Sequence, residues 1–368
     1  MTEVLIVGGG TAGHVLPGVA ICQELTRRGM EPSQVHFVGS ERGVEQTLVP
    51  AAGFPLTLLP GRGIQRKLTT DNIGAVAGLV RAFITSFSLV RKHRPKAVVA
   101  LGGYASVPAG VWAVLLRVPV VVAEQNAVPG LANNIIGRFA KACAVSYAGT
   151  DLPKAIHTGN PVRPEILAVA DGSNDRASAR ASLGVATDKT LLVVFGGSLG
   201  ARTINNAVVG ALDALSGRAD LEIRHIIGKR DFADVTARVS LEPDAALTYA
   251  PIEYENDMAS VYAACDLVVC RAGATSCAEL AVTGTPAVLI PLPGAPGDHQ
   301  TANARALEKP GGAEIIADAD FDSARFIETI TRLIDSPQTL ADMAQAAESV
   351  GRPNAAAAVV DVIEVHRK

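Results

Sequence analysis

Aromatic residues are scarce in this sequence, and their scarcity argues against a β-sandwich with an aromatic core. Among 368 residues, aromatic side chains make up 4% and tryptophan occurs once, whereas glycine occurs 35 times. Many glycines and few aromatic residues favour buried strands joined by tight turns. Neither sign of charge dominates, because the formal net charge is −3. Nothing in the overall charge therefore points to nucleic-acid binding.

Cysteine is also infrequent, and its pattern argues against disulfide and zinc cross-links. The five cysteines are Cys22, Cys143, Cys265, Cys270 and Cys277. Their number is odd, and no two have the CxxC spacing of zinc and redox sites. We therefore expect reduced cysteines in apolar surroundings, as in a cytosolic protein, and no zinc site.

Long apolar runs are missing except at residues 97–116, which form a stretch of twenty residues without a charge. That length matches a membrane-spanning helix. The stretch contains Gly102-Gly103 and Pro108, which interrupt a helix, so the sequence predicts a strand, a glycine turn and a buried helix. The first residues of the chain carry no basic segment, and we also expect no signal peptide.

Two glycine-rich turns follow apolar runs in different halves of the chain. They are Gly8-Gly9-Gly10-Thr11-Ala12-Gly13-His14 and Gly196-Gly197-Ser198-Leu199-Gly200-Ala201-Arg202. A strand, a glycine turn and a helix start offer backbone N–H groups and a helix dipole to a phosphate. Two such units in a chain of this length predict two domains of similar fold that face a common cleft.

Short apolar runs alternate with helical stretches, which predicts an α/β protein with two Rossmann-like, doubly wound parallel sheets. Strands are expected at 4–7, 35–38, 56–59, 97–101, 118–123, 142–146, 190–195, 221–227, 247–250, 266–270, 286–291 and 313–317. We expect an N-terminal domain at residues 1–163 and a C-terminal domain at residues 164–353. A helix at residues 354–368 is expected to pack back on the first domain.

The first turn allows two interpretations. Gly8, Gly10 and Gly13 match the GxGxxG pattern of dinucleotide-binding domains, although this pattern alone is weak evidence. An NAD-linked oxidoreductase would need an acidic residue after the second strand, and Glu41 is the candidate. His14 follows the turn directly. A neutral imidazole there can remove a proton from an alcohol, whereas the structural alternative is a capping or core histidine.

Polar residues follow several strands of the second half. Backbone N–H groups at residues 274–276 can hold a diphosphate, and Glu279 can accept hydrogen bonds from ribose hydroxyls. The alternative for Glu279 is a capping box with Ser276. Gln300 and Asn303 lie on one helix face and can bind sugar hydroxyls, or they form an ordinary polar helix start.

Glu124, Gln125, Asn126 and Asn133 follow a very apolar strand of the first half. These mostly uncharged hydrogen-bonding groups suit a ligand with many hydroxyls, and Glu124 can assist proton transfer. The alternative is that they cap a loop.

Asp318 and Asp320 have the DxD spacing that some metal-dependent transferases use for a diphosphate. We interpret both as residues of a solvated turn, with Asp322 as a helix N-cap. No metal is therefore expected.

Residues 61–96 contain eight basic residues against the single acid Asp71. Apolar residues recur among them at helical spacing. A helix with basic and apolar surfaces predicts contact with an anionic membrane, and the alternative is a core face with a solvated face. The residues selected for membrane contact are Arg66, Lys67, Leu79, Phe83, Phe87, Arg91 and Lys92.

These motifs together resemble the MurG family of peripheral membrane N-acetylglucosaminyltransferases over nearly the whole chain. The matching residues are Gly10-Thr11-Ala12-Gly13-His14 with Pro17, Gly102-Gly103-Tyr104, Glu124-Gln125-Asn126, Gly159-Asn160-Pro161-Val162-Arg163, Gly196-Gly197-Ser198 with Gly200-Ala201-Arg202, Arg271 with Gly273-Ala274, Glu279, and Gln300 with Asn303. Each motif alone is modest, but their order and spacing are highly specific.

The resemblance implies a GT-B fold and an inverting transfer without a cofactor. UDP-N-acetylglucosamine would donate its sugar to the 4-hydroxyl of the muramyl unit of undecaprenyl-diphosphoryl-muramyl-pentapeptide, giving lipid II for peptidoglycan synthesis. The protein would work as a peripheral protein on the anionic cytoplasmic face of the bacterial cell membrane. Other cell-wall synthesis proteins are further candidate partners, and nucleic acid is not.

The resemblance also implies roles for individual residues. The implied donor site comprises Thr11, Ala12, Gly13, Asn126, Arg163, Ser198, Ile252, Ala274, Thr275, Ser276, Glu279, Gln300 and Asn303. Tyr104 and Asn133 belong to the acceptor side, and His14 is the base or orients the acceptor, with Glu124 as a second catalytic candidate. The family often has two glycines before the histidine, where this chain has Ala12-Gly13. We expect the turn to persist unless Ala12 needs a positive φ.

Three other interpretations stay open from the residues alone. An NAD-linked oxidoreductase leaves the second glycine turn unexplained. A non-hydrolysing sugar-nucleotide epimerase would need a set of acid and base carboxylates. A non-catalytic nucleotide-binding or membrane-scaffolding protein would bind a UDP-sugar without turnover.

Overall fold

The computed structural model describes residues 2–61, 71–197, 200–242 and 244–368. The chain divides into two compact units. The first unit comprises Met1–Arg163 and Arg352–Lys368, and the second comprises Pro164–Gly351. The C-terminal segment therefore belongs to the first unit, although the whole second unit separates the two in sequence.

The first unit is built on a seven-stranded parallel sheet. Its strands are β1 (Val4–Gly8), β2 (Val35–Ser40), β3 (Leu56–Leu59), β4 (Ala97–Gly102), β5 (Val120–Glu124), β6 (Ala142–Val145) and β7 (Ala155–His157). The spatial order is β3-β2-β1-β4-β5-β6-β7, so the direction of winding reverses between β1 and β4. Ligands of such sheets bind beyond the carboxyl ends of the strands at this switch point.

Helices cover both faces of the first sheet. They are α1 (Ala12–Arg27), α2 (Glu45–Ala51), α3 (Asp71–His93), α4 (Ser106–Leu115), α5 (Leu131–Gly137) and, from the C-terminal segment, α15 (Ala355–His366). One core lies between the sheet and α1, α2 and α15, and it includes Ile21 and Ile363. The other core lies beneath α3, α4 and α5 and includes Ala82 and Ala113. Because helices cover both faces, β1 is completely buried and its residues are continuously apolar.

The second unit has a six-stranded parallel sheet with the order β10-β9-β8-β11-β12-β13. Its strands are β8 (Thr190–Phe195), β9 (Leu221–Ile226), β10 (Thr248–Ile252), β11 (Leu267–Cys270), β12 (Ala287–Leu289) and β13 (Ala313–Ile315). Its helices are α6 (Pro164–Ala170), α7 (Arg176–Leu183), α8 (Arg202–Leu215), α9 (Phe232–Thr236), α10 (Met258–Ala264), α11 (Ala274–Val282), α12 (His299–Glu308), α13 (Ser323–Ile334) and α14 (Pro337–Ser349). The winding reverses between β8 and β11, as it does between β1 and β4.

The predicted fold class and all twelve predicted strands are confirmed, with shifts of a few residues at their ends. The edge strand β7 was not predicted, because its three residues are all exposed and have no apolar pattern. The uncharged stretch at 97–116 forms β4, a turn and α4, as expected. In the described parts of the chain, no helix is long and apolar enough to cross a bilayer. The five cysteines are buried and free, also as expected.

A fully buried histidine makes the stability of the second unit depend on pH. His225 lies between Asn205 Oδ1, 3.1 Å from its Nε2, and the Tyr249 hydroxyl, 2.9 Å from its Nδ1. Burial lowers the pKa of His225 to about 3, so the folded unit keeps the ring neutral. The unfolded chain takes up a proton near pH 6.5. Stability from this group is therefore fully present above pH 6.5 and is lost as the pH falls toward 3.

We expect the unfolding free energy of the second unit to fall by up to about 1.4 kcal/mol for each pH unit below 6.5 through His225 alone. Hydrogen exchange of β9 amides at pH 7 and pH 5 measures this change. His225→Gln cannot titrate, so its pH dependence should be flatter. Parallel pH dependences in the two proteins would contradict the prediction.

Candidate active site

The first glycine turn leads from β1 directly into α1 and ends at His14. Gly8, Gly9 and Gly10 all have positive φ, between +96° and +149°, which residues with a Cβ rarely adopt. Thr11 is the N-cap of α1, and its Oγ1 lies 3.1 Å from His14 Nδ1. The imidazole is therefore oriented by the residue that begins its own helix.

The alanine at position 12 fits this turn. Ala12 is the first residue of α1 and is not among the residues with positive φ. The departure from the family's two glycines therefore adds a methyl group without backbone strain.

The turn after β4 brings His14 and Asn133 together. A Cβ atom placed on Gly102 would lie 3.1 Å from His14 Nε2 and 3.2 Å from Asn133 Nδ2. Both side chains therefore lie against the carboxyl end of β4. Gly102 also has a φ of +101°, which residues with a Cβ rarely adopt, and a side chain there would press on both His14 and Asn133.

Glu124, at the end of β5, is buried and accepts hydrogen bonds from the loop that follows it. Oε1 accepts from the Asn126 N–H at 2.9 Å. Oε2 accepts from the Gly130 N–H at 3.0 Å and from Asn133 Nδ2 at 2.9 Å. These contacts are those of the loop-capping alternative. The Glu124 carboxylate thus holds Asn133, which lies with His14 against Gly102.

Tyr104 connects the turn after β4 to the segment after β3. Its hydroxyl donates to the Pro60 carbonyl at 2.9 Å. Burial raises the pKa of Tyr104, and the charge of Glu41 acts in the same direction. The hydroxyl is therefore a hydrogen-bond donor at neutral pH.

Glu45 also belongs to this site, although sequence analysis did not select it. Its side chain is fully buried, and its carboxylate accepts the Gly10 N–H at 2.9 Å. Two glycines close before it, Gly39 and Gly43, are the signal that was available in the sequence, because each leaves room for this side chain.

In the second unit, the start of α11 excludes the capping-box alternative. Gly273 is the N-cap and no side chain caps the helix. Ser276 therefore lies inside the first turn and is not the cap of a box with Glu279. The first N–H groups of a helix have no acceptor within it, and Ala274 and Thr275 supply two of them. Thr275 Oγ1 is buried and has no hydrogen-bond partner among the described residues.

Glu279 lies one turn further along α11 and is 4% exposed. The Tyr262 hydroxyl donates to Glu279 Oε2 at 3.1 Å. Burial, and then the charge of Glu279, raise the pKa of Tyr262 well above its usual value. Tyr262 is therefore a neutral donor that fixes the direction of the carboxylate.

Gln300 and Asn303 of α12 contact the turns after β12 and β11. Gln300 Oε1 accepts from the Leu292 N–H at 2.9 Å. Asn303 is fully buried, and its Nδ2 donates to the Ala272 carbonyl at 3.3 Å. Both amides therefore lie at the carboxyl ends of strands, as the sequence predicted.

Asp318 is not the solvated residue that the sequence suggested. Its Oδ1 lies 2.5 Å from Arg271 Nη1, and its Oδ2 accepts from the Thr203 hydroxyl at 3.1 Å. This ion pair forms because the turn before α13 packs against the turn after β11. The side chain of Asp322 caps α13, which confirms that prediction. Across the described residues, no group of three or more His, Cys, Asp or Glu side chains could hold a metal.

The remaining predicted residues lie at separate positions. Ile252 is the last residue of β10, and Arg163 is the last residue of the N-terminal segment of the first unit. Ser198, Arg66 and Lys67 lie outside the described residues.

The apolar residues selected on α3 for membrane contact are half-buried. Leu79, Phe83 and Phe87 all have intermediate exposure. The ring of Phe87 packs on Trp112 of α4 with a centroid separation of 4.7 Å. The Trp112 indole donates to the Phe83 carbonyl at 2.8 Å. Phe87 and the backbone at Phe83 therefore contact α4.

Other apolar residues of α3 are exposed. Val80 is 54% exposed and Ile84 is 62% exposed. Arg91 and Lys92 are exposed in the last turn of the helix. The surface of α3 thus combines apolar and basic residues.

Two family models match the chain. The glycosyltransferase family 28 N-terminal domain matches residues 4–145, and the glycosyltransferase family 28 C-terminal domain matches residues 191–359. With their two parallel Rossmann-like sheets, these domains define a glycosyltransferase of the GT-B fold.

Relatives of known name cover nearly the whole chain. One from Desulforudis audaxviator is 36% identical over 98% of this chain and 98% of its own. One from Myxococcus xanthus is 38% identical over 98% of this chain and 92% of its own. Both are named UDP-N-acetylglucosamine–N-acetylmuramyl-(pentapeptide) pyrophosphoryl-undecaprenol N-acetylglucosamine transferase. The crystal structure of Acinetobacter baumannii MurG is 30% identical, with a TM-score of 0.76 over 99% of this chain and 100% of that one. The chain belongs to the MurG family.

A more distant structure has the same fold. The UDP-GlcNAc 2-epimerase of Neisseria meningitidis, solved with UDP-GlcNAc, has a TM-score of 0.69 over 99% of this chain and 100% of its own. Its sequence identity is 14%, so the likeness shows the fold alone.

Proposed function

We propose that this chain is an inverting N-acetylglucosaminyltransferase of peptidoglycan synthesis. It transfers N-acetylglucosamine from UDP-N-acetylglucosamine to the 4-hydroxyl of the muramyl unit of undecaprenyl-diphosphoryl-muramyl-pentapeptide, and the product is lipid II. The observation that carries this proposal is the full-length similarity to relatives named for this transfer, at 36% and 38% identity.

We assign the diphosphate, the ribose and the sugar hydroxyls of the donor to groups of the second unit. Negative charge builds on the diphosphate as UDP leaves, and the N-terminus of α11 offers N–H groups and a positive dipole end to it. The buried Thr275 hydroxyl is a further donor. Glu279 is assigned to the ribose, and Gln300 and Asn303 to sugar hydroxyls. The remaining donor assignments follow from the family resemblance. They are Ser198, Ile252, Ala274 and Ser276 in the second unit, and Thr11, Ala12, Gly13, Asn126 and Arg163 in the first.

We assign proton removal from the acceptor hydroxyl to His14. The Thr11 hydroxyl at Nδ1 fixes the ring orientation, and Nε2 then takes the proton. Tyr104 and Asn133 are assigned to the acceptor side. Glu124 is suited to positioning, because its carboxylate holds Asn133 beside His14.

The hydrogen bonds of the first turn oppose the oxidoreductase alternative. A dinucleotide would need N–H groups of this turn for its pyrophosphate, whereas the Gly10 N–H is bonded to the Glu45 carboxylate.

A turnover assay with UDP-N-acetylglucosamine and a short-chain acceptor tests the proposal against the non-catalytic alternative. We expect a disaccharide product and UDP. Binding of UDP-N-acetylglucosamine without any transfer would identify a binding protein instead.

We expect the transfer to persist in excess EDTA. The helix N-terminus and backbone N–H groups can stabilise the leaving diphosphate without a metal, and Asp318 is engaged by Arg271. Initial rates with a water-soluble acceptor, with and without EDTA, measure this. Loss of activity that magnesium or manganese restores would show that a metal takes part.

We assign the protein to the cytoplasmic face of the cell membrane, in reversible contact with anionic lipid, because the acceptor carries a polyprenyl chain. Exposed Val80 and Ile84 lie on the same helix as Arg91 and Lys92. Each basic residue near an anionic surface contributes about 1 kcal/mol, and apolar burial adds to it. On the basis of the sequence, we assign Arg66, Lys67, Leu79, Phe83 and Phe87 to the same surface.

We expect the protein to sediment with anionic vesicles, to bind neutral ones weakly and to be released by high salt. Replacing Arg66, Lys67, Arg91 and Lys92 with glutamate should abolish sedimentation and leave turnover of a water-soluble acceptor nearly unchanged. Arg305→Glu with Lys309→Glu in the second unit is the control and should sediment normally. Undiminished binding by the fourfold variant would place the membrane surface elsewhere.

A further inference from the structure

The first glycine turn already bonds to a carboxylate of the chain itself, that of Glu45. Glu45 is fully buried. Its Oε2 accepts the Gly10 N–H at 2.9 Å, and its Oε1 accepts the Ser40 N–H at 2.5 Å. In a nucleotide-binding turn, such N–H groups contact phosphate oxygens. Here a carboxylate from the first residue of α2 takes that place.

Three glycines make room for this carboxylate. A Cβ atom on Gly9, Gly39 or Gly43 would overlap the Glu45 side chain. The three positions belong to the first turn, to β2 and to the segment before α2. Glycines at three separate points of the backbone thus surround one side chain, which is evidence of a site built for it.

Two adjacent residues, Gly10 and Thr11, connect Glu45 to His14. Gly10 donates to Glu45 and is followed by Thr11. Thr11 is the N-cap of α1 and lies against His14 Nδ1. A shift of the turn would move the Thr11 hydroxyl and with it the orientation of the imidazole.

We infer that Glu45 is a positioning residue, which holds the first glycine turn so that Thr11 orients His14. This inference rests on the proposed role of His14.

The experiment compares two variants of Glu45 with a neighbouring control. Glu45→Gln keeps the volume but turns an NH₂ group toward N–H donors, and Glu45→Ala leaves a cavity of the size of acetate. We expect kcat to fall between about tenfold and a hundredfold in both, because a small displacement of a catalytic group has effects of this size. The KM for UDP-N-acetylglucosamine should change much less than kcat, because the groups assigned to the diphosphate and ribose lie in the second unit. Glu41→Ala removes an exposed acid from the same segment and should keep the parental kcat.

Two further measurements separate positioning from general damage. Acetate should restore part of the kcat of Glu45→Ala and should not raise that of the parent protein. In a His14→Ala background, Glu45→Gln should have little additional effect on kcat, because residues that act through one group are not additive.

A readout without turnover separates this inference from the proposed function. In protein with ¹⁵N-labelled histidine, the ring-nitrogen shifts of His14 report its tautomer and hydrogen bonding. They should move in Glu45→Gln, and Glu41→Ala should leave them in place. Unchanged His14 shifts, or a parental kcat in folded Glu45→Gln, would overturn the inference. Absent transfer by the parent protein would overturn the proposed function and leave the NMR result to decide this one.

Discussion

Replacing His14 with alanine is expected to lower kcat by about a hundredfold or more, the usual size of a general-base contribution. His14 follows the first glycine turn, and its Nδ1 is already engaged by the Thr11 hydroxyl. Nε2 lies against the turn after β4, beside the Asn133 amide. This arrangement gives one ring nitrogen an orienting partner and directs the other toward the side assigned to the acceptor.

Steady-state kinetics with a water-soluble acceptor measure this effect, and kcat must be separated from KM. Loss of a group that acts on the acceptor proton should lower kcat and change the KM for UDP-N-acetylglucosamine much less. His366→Ala, at the end of α15 in the same unit, is the matched control and should keep the parental kcat. Near-normal turnover by folded His14→Ala protein would rule out the role as base.

The fold was predictable from the sequence because most of its strands are buried on both faces. Complete burial requires a run of apolar residues, as in β1, where all five residues are buried. Glycine turns after such runs then mark the carboxyl ends of the strands. The strand β7 lacks this signal, since its residues are exposed and its position depends on pairing with β6.

Contacts within the candidate site were predictable from the sequence only where they join residues that are close in the chain. The turn with Thr11 and His14 can be recognised because its residues are adjacent. Glu45 contacts Gly10 only after β2 and α2 pack beside β1, so no local pattern assigns its partner. Likewise, the sequence alone suggested a solvated Asp318, because its partner Arg271 comes from a different turn of the fold.

Side-chain direction on a helix was the least predictable feature. The spacing on α3 indicated an apolar stripe but not which of its members pack inward. Contact with Trp112 of α4 draws Phe87 inward, whereas Ile84 is exposed. Only the position of the neighbouring helix decides between the two faces.

Replacing Glu279 with alanine is expected to weaken UDP binding by about 1.5–3 kcal/mol, the range for hydrogen bonds to a charged group, or about ten- to a hundredfold in Kd. Its carboxylate is buried on α11, near the helix N-terminus that we assign to the diphosphate. It does not cap that helix, because α11 begins at Gly273 and Ala274. The measurement is calorimetry of UDP binding together with a melting curve of each variant.

Tyr262→Phe is the matched control for Glu279→Ala, because it removes the hydrogen bond to Glu279 Oε2 and keeps the carboxylate. If Glu279 binds the ribose, Tyr262→Phe should lose much less UDP affinity than Glu279→Ala. If Glu279 is only a structural partner of Tyr262, both variants should melt at lower temperature and bind UDP as the parent does. Parental UDP affinity in folded Glu279→Ala would therefore remove Glu279 from the donor site, since the ribose hydroxyls would then have another acceptor.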